Sequence, residues 1–441
     1  MLEVINVINV LIILGAIMIL GFIGNFIFNR TQIPSIVWLL FFGLIVGFIF
    51  QVQETIPESI LTTISSFVGA VAIIIILFDG GINTDLYQLF RGAPRGLLLS
   101  ISAFVFSIFA TMAVVVILSA TLMPTIPLGN SMLIGAILGA IVAGTSSPIV
   151  IPLASRLKNL QDKTKTALSI ESIITDPLCI VVVLAAYYMI IVVGGSIDVS
   201  VGIKNLVSTF SVGAVVGAAL GLCWLPVMHR VRKEQYSYVL TLAVVFLIYS
   251  LTESWWGGAG ALSCLMFGLV LGNGKKILKM IKYSGRGFEM DTETRQFHSL
   301  TSFVIRTFFF VYLGMMVSFQ KIEFILIGVI VLLVLLLVRY FAIMLSTYRG
   351  GFERDDKQTM AVMMPRGLAA AILAINFGPA FVEKLMPGLD GFFKVSVFVV
   401  ILGTAIVCTV GVSLIAHYEQ KKQEDNMHDD INKVIKKVKR K

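Results

Sequence analysis

About thirteen apolar runs follow one another along this chain with only short polar loops between them. Most are close to the ~20 residues that an α-helix needs to cross a bilayer. They lie near 4–28, 34–50, 57–83, 95–122, 130–154, 164–192, 203–229, 236–252, 257–272, 299–318, 321–347, 357–381 and 392–416. Inside a bilayer no water can satisfy a backbone amide, so such runs must fold as helices that satisfy their own peptide groups. The fold class is therefore an all-α polytopic membrane protein. Composition agrees: 57% of the 441 residues are hydrophobic and 13% charged, with a mean hydropathy of +0.95. The first run lacks a basic leader and a small-residue cleavage site, so it reads as a retained helix rather than a signal peptide.

A net charge of +9 could point to nucleic acid, but the basic residues sit in the loops, which is the mark of membrane topology and excludes that partner. Loops after odd-numbered runs carry Arg30, Arg91, Arg95, Arg156, Lys158, Lys163, Lys165, Arg230, Arg232 and Lys233, then Lys275 to Arg286, then Arg349, Arg354 and Lys357. Loops after even-numbered runs carry Lys204, Lys321, Lys384 and, at the rim, Lys394. By the positive-inside rule the N-terminus is outside and the C-terminus cytoplasmic, in a cell-membrane protein. The four cysteines fall within apolar runs and show neither metal-site spacing nor a disulfide framework.

The sixth run carries the chemistry. Glu171, Ser172, Thr175, Asp176 and Pro177 lie well inside it, Asp176 near its midpoint. A mid-bilayer carboxylate costs ~2.5–3.5 kcal/mol even on the mild insertion scale, so these residues are functional candidates. At ~100° per residue Ser172, Thr175 and Asp176 share a face. Pro177 cannot donate to the Ile173 carbonyl, which is freed in the same layer. A carboxylate, two hydroxyls and a loose carbonyl make a site for a monovalent cation or a proton.

Two other runs are interrupted. The fifth contains Gly144-Thr145-Ser146-Ser147-Pro148, and the twelfth Pro365-Arg366-Gly367, with Asn376 and Gly378-Pro379 further on. Irregular backbone at membrane depth is tolerable only where it lines a cavity. Because the two runs cross in opposite directions, they point to an inverted-repeat transporter, runs four to six pairing with eleven to thirteen. Glu171 lies five residues to the cytoplasmic side of Asp176, ~7.5 Å of rise. Arg339 in the eleventh run lies at a similar depth, so the two should form a buried structural pair, since each alone would be very costly. Asp176 is then left as the titrating group. Arg366 sits where it could offset half-helix C-terminal dipoles.

These motifs resemble the sodium/proton exchanger branch of the cation/proton antiporters. The likeness rests on Glu171-Ser172-x-x-Thr175-Asp176-Pro177, Thr145-Ser146-Ser147-Pro148, Arg339 and Pro365-Arg366-Gly367, together with Leu77 to Gly81 and Phe308 to Gly314. It covers roughly residues 5–416. The resemblance implies an antiporter fold with two crossing broken helices and a homodimer. It makes Asp176 the ion and proton carrier, Ser172 a ligand and Asp79 an acid near the ion path. The implied organisation is 1–93 as scaffold helices, 94–192 as the first core repeat, 193–235 as a linker helix, 236–320 as further scaffold, 321–417 as the second core repeat and 418–441 as a basic cytoplasmic tail. Two positions depart from the family pattern. Thr175 stands where the family has asparagine, and Ser146-Ser147-Pro148 stands where it has Thr-Asp-Pro. A weaker field favours the more easily dehydrated ion, so K⁺ competes with Na⁺ and Li⁺ as cargo.

With Thr175 and Ser147 unable to ionise and Glu171 paired, one exchangeable charge remains, which predicts electroneutral one-for-one exchange by a moving core and no cofactor. The nearest rival is a sodium-coupled organic-solute symporter on a similar scaffold. A channel would need a repeated filter or charge ring, and an intramembrane enzyme a second mid-run Asp. Arg306 reads as locally paired or snorkelling, the Gly-rich runs as packing surfaces, and His229, His298, His417 and His428 as rim residues. Residues 275–297 and 419–441 read as lying on the anionic inner surface of the membrane.

Overall fold

The computed structural model describes residues 2–31, 33–49, 58–84, 94–122, 126–157, 160–193, 199–231, 234, 236–280, 292–317 and 321–438. Arg91, Lys158, Arg232, Lys233, Lys282 and Arg286 lie outside the described residues. So do the side chains of Arg30, Arg156, Lys279, His229, His298, His428 and the tail beyond Tyr418.

The regular structure described is entirely helical. In chain order the helices are α1 (Leu2–Thr31), α2 (Ser35–Ile49), α3 (Glu58–Asn83), α4 (Pro94–Leu122), α5 (Leu128–Val142), α6 (Ser147–Arg156) and α7 (Asp162–Tyr187). They continue with α8 (Val199–Val231), α9 (Ser237–Trp256), α10 (Gly260–Gly272), α11 (Gly274–Met280), α12 (Thr292–Met316) and α13 (Ile322–Thr347). The last four are α14 (Arg354–Val362), α15 (Leu368–Asn376), α16 (Gly378–Leu385) and α17 (Phe392–Val438). A π-helical turn, Tyr188–Val193, extends α7.

Among the described residues, seven helices are long and apolar enough to span a membrane, two bent pairs add a span each if each pair is one span, and four shorter apolar helices accompany them. Large apolar side chains such as Phe48, Phe109 and Leu333 face outward, as expected where the surrounding solvent is lipid. The polypeptide is a polytopic membrane protein.

The helices pack in two groups. In one, α2 lies on α12, α1 on both, and α10 on α3 and α8. In the other, α4 lies on α5, α7 and α13, and α17 on α13, α14 and α15. α3 touches α7 and α15 across the two groups. Close approach of α2 and α12 depends on bare backbone: a Cβ on Gly314 would fall 2.5 Å from the Leu40 carbonyl oxygen.

The twelfth run is broken between Val362 and Leu368, where the sequence places the Pro365-Arg366-Gly367 interruption, and bends a second time after Asn376, so it is three helical pieces. α14 opens with Arg354, Asp355, Asp356 and Lys357 and is too polar to sit among lipid tails. Its start is a capping box in which Glu353 and Asp356 exchange side-chain and backbone hydrogen bonds. α15 and α16 then meet at a 45° bend, where Pro379 at the start of α16 favours a new helix over continuation.

Candidate functional site

Two breaks in the helical backbone face each other. Between α5 and α6 the chain is extended at Ser146, with φ −73° and ψ 107°, and Pro148 opens α6 with its φ already set for a helix. Between α14 and α15 it leaves the helix at Met363 and is extended at Gly367, with φ −129° and ψ −155°. The Ser146 N–H donates to the Pro365 carbonyl at 2.8 Å. A Cβ on Gly367 would lie 2.5 Å from Ser146 Oγ, so the crossing has room for hydrogen alone at that point.

Each break strands carbonyls and amides in a dry interior, and neighbouring side chains satisfy several of them. Arg366, 3% exposed, donates from Nη1 to the carbonyls of Ala143 at 2.5 Å and Gly144 at 3.0 Å. Its guanidinium thus lies against the negative end of the α5 dipole. The Arg366 N–H in turn donates to Thr404 Oγ1 at 3.0 Å. Thr404 was not singled out from the sequence, because a threonine in an apolar run commonly bonds back to its own helix, and this one also bonds the Val400 carbonyl.

α7 packs against the crossing. The Thr145 N–H donates to Thr175 Oγ1 at 3.0 Å, with the two hydroxyls 3.3 Å apart. Thr175 Oγ1 donates to the Glu171 carbonyl at 2.8 Å. One turn of helix therefore locks the first break to α7. Directly after Thr175, the Asp176 carboxylate faces the Ser147 N–H at the start of α6. It is 8% exposed.

That exposure is to a cavity of about 450 Å³. Asp176, Pro177, Ser146, Ser147 and Pro148 line one wall, and Asp79, Gly80 and Asn83 of α3 with Ser302 and Arg306 of α12 line the other. Asn83, Pro148 and Pro152 on its wall are solvent-exposed. It therefore opens at the end of the bundle that carries Arg95, Lys163 and Arg349. On the far side of Asp176, Tyr187 meets Phe377 and Phe381 edge-on at 5.0 and 6.0 Å, and Phe381 packs on Phe393.

Glu171 is turned away from the cavity. Its Oε1 accepts from Arg339 Nη1, and Arg339 also donates to the carbonyls of Met360 at 2.9 Å and Met363 at 3.1 Å. The guanidinium thus neutralises Glu171 and caps the C-terminal end of α14, with both partners at most 3% exposed.

The site residues read from the sequence fall into three places. Asp176, Ser146, Ser147, Pro148, Pro177 and Asp79 share the cavity. Thr145, Thr175, Glu171, Arg339 and Arg366 form the supporting network behind it. Ser172 belongs to neither: it is fully buried and donates to the Ser169 carbonyl of its own helix at 3.1 Å. Asp79 Oδ1 accepts from Asn83 Nδ2 at 2.6 Å. Arg306 stands on the cavity wall, a placement its sequence surroundings did not signal, since an arginine in an apolar run ordinarily pairs locally or snorkels.

Among the described residues no group of three or more His, Cys, Asp or Glu side chains could hold a metal ion. The donors at the cavity's inner end are one carboxylate and two serines. Such a set suits a weakly held monovalent cation, whereas Ca²⁺ takes 6–8 oxygens, commonly from several carboxylates.

The chain is 24% identical over 440 residues to Na(+)/H(+) antiporter 1 of Methanocaldococcus jannaschii, covering 94% of this chain and 98% of that protein. It is 24% identical over 322 residues to the low-affinity Na(+)/H(+) antiporter NhaS1 of Synechocystis, covering 65% and 58% respectively. A K(+)/H(+) antiporter NhaP2 of Shewanella oneidensis shares 29% over 140 residues, 32% of this chain and 24% of that one. The fold of this chain superposes on the sodium proton antiporter MjNhaP1 of M. jannaschii at pH 8 with a TM-score of 0.72, at 22% identity over 94% and 97% of the two chains. Residues 14–417 match the family of transmembrane sodium/hydrogen exchangers, and the chain belongs to that family.

Proposed function

We propose that this protein exchanges a monovalent cation for a proton across the cell membrane, with Asp176 as the group that holds either one. The cargo is Na⁺ or Li⁺, with K⁺ the competing ion, in keeping with relatives named for Na⁺/H⁺ and for K⁺/H⁺ exchange.

The observation that carries this reading is the position of Asp176. It lines, with Ser146 and Ser147, a cavity whose wall includes the exposed Asn83, Pro148 and Pro152, and the aromatic cluster of Tyr187, Phe377 and Phe381 lies on its other side. A carboxylate there meets one compartment at a time. Deprotonated, it offers a charge to a cation entering past Asp79, with Ser146 and Ser147 hydroxyls close by. Protonated, it offers nothing to that cation. Thr145, Thr175, Glu171, Arg339 and Arg366 hold the crossing rigid, and Ser172 acts through its own helix rather than as an ion ligand.

By charge asymmetry of the loops the cavity opens to the cytoplasm, with the N-terminus outside. Residues 94–192 and 321–417 form a core that slides against residues 1–93 and 236–320, carrying the occupied site across. Cation-loaded and proton-loaded cores carry the same charge, so exchange is one-for-one and electroneutral. The working unit is a homodimer built on the scaffold helices.

The test is a vesicle assay. Purified protein in sealed proteoliposomes should convert an imposed Na⁺, Li⁺ or K⁺ gradient into a pH gradient with no organic solute present. Strict dependence on an added organic solute would instead favour the symporter reading.

A further inference from the structure

Outside the ion cavity, a groove of about 720 Å³ runs along the bundle surface between α4 and α13. Its lining is apolar and includes Phe106, Phe109 and Ala110 of α4, Val338 and Phe341 of α13, and Tyr348 directly after α13. Phe109, Phe341 and Tyr348 are 60%, 53% and 67% exposed, so the groove faces out of the protein along two helices long enough to span the membrane. From Val338 to Tyr348 the helical rise is ~15 Å, about half of a ~30 Å hydrocarbon core and so the depth of one leaflet.

Next in the chain after Tyr348, a lining residue of the groove, comes a positive charge. The Arg349 guanidinium stacks over the Tyr348 ring at 5.3 Å from its centroid. Its backbone takes φ +51°, unusual for a residue with a side chain. Arg95 imposes that turn, donating to the carbonyls of Ser346 at 3.1 Å, Tyr348 at 2.6 Å and Arg349 at 3.1 Å. Arg349 itself is exposed. Among the described residues its guanidinium has a ring contact and no hydrogen-bonded or ionic partner.

The geometry points to a binding site for an anionic phospholipid, with one acyl chain in the groove and the phosphate on Arg349. A guanidinium pre-positioned at the mouth of a leaflet-deep apolar groove matches both ends of such a molecule. A zwitterionic lipid fits the groove but gains less at Arg349, where its own cationic headgroup offsets the phosphate. The site lies on the opposite face of α13 from Arg339, so an occupied groove braces the helix that holds the buried ion pair.

The experiment uses the full-length protein in detergent and does not depend on transport. Dioleoyl phosphatidylglycerol or dioleoyl phosphatidylcholine is added, bound lipid is counted by native mass spectrometry, and melting is followed in parallel. The expected result is phosphatidylglycerol retained through detergent exchange with a higher melting temperature. Retention should fall about fivefold in Arg349→Gln, the size of one juxtamembrane basic residue's contribution. It should also fall in Ala110→Phe, which fills the groove and leaves the charge, whereas Lys357→Gln should behave as the parent. Equal retention of the two lipids, or an unchanged preference in both Arg349→Gln and Ala110→Phe, overturns the site. A melting shift reproduced by glycerol phosphate alone also overturns it, since the groove would then play no part.

Discussion

The Ser146 N–H and the Pro365 carbonyl meet at 2.8 Å, joining two helix breaks that lie 219 positions apart in sequence. Three supports of the candidate site are arranged around that bond. Gly367 lies against Ser146, Arg366 covers the carbonyls before it, and Thr175 holds Thr145. Replacing Gly367 by alanine puts a methyl group 2.5 Å from Ser146 Oγ. The variant should lose ~1–3 kcal/mol of stability, as overpacked interiors do, and its exchange rate should fall with it. A Gly367→Ala protein with parental melting and transport would mean that the crossing is slack.

The Glu171–Arg339 pair should behave as structure. Removing one partner leaves a buried charge uncompensated, at a cost of ~3–5 kcal/mol, so Glu171→Gln and Arg339→Gln should both express poorly and melt early. A charge-swapped double variant should recover part of the loss. If Glu171→Gln melts with the parent and no longer transports, Glu171 belongs to the ion chemistry instead.

Arg306 shares the cavity wall with Asp79 and places a fixed positive charge along the route of a cation. For charges ~10 Å apart at an effective dielectric of ~40–80, the repulsion is ~0.4–0.8 kcal/mol, or two- to fourfold in affinity. Arg306→Gln should therefore lower the apparent KM for the cation by that factor with little change in maximal rate. The difference should shrink as impermeant salt is raised. An unchanged KM, or a raised one, would show that the guanidinium does not oppose the ion.

The bundle was legible from the sequence because hydropathy acts over whole spans: a run of ~20 apolar residues has few alternatives to a membrane helix. The two breaks were legible for the opposite reason, since Pro148 and Pro365 cannot donate and Gly144 and Gly367 lie within a few residues of them. Depth arithmetic placed Glu171 level with Arg339, and the structure has them in contact. Rotation about a helix axis was less legible. Ser172 shares a nominal face with Asp176, yet its hydroxyl turns back onto Ser169. Which side of α12 Arg306 occupies, and what Thr404 faces, depends on neighbouring helices far away in sequence. The polar start of α14, Arg354 to Asp356, reads as loop in the sequence, and its capping box makes it the first turn of a helix instead.

Stoichiometry follows from the number of exchangeable charges at the site. With Asp176 alone trading its proton for the ion, transport should be insensitive to membrane potential. The activity optimum should move to lower pH as cation is raised, because more cation is needed to displace more abundant protons from one carboxylate. Rates measured under a potential set with an ion the protein does not carry would check this. A gradient that follows the voltage would bring Asp79 in as a second titrating group, with Asp79→Asn the variant to compare.

The central claim is that Asp176 alternates between a proton and a cation. Asp176→Asn keeps the shape and removes the charge, and a neutral amide in that cavity relieves a desolvation cost, so the variant should insert, fold and melt at or above the parent temperature. Reconstituted beside the parent in sealed vesicles, it should give no cation-driven pH change at any pH. Cation/proton exchange at a substantial fraction of the parental rate would contradict the account.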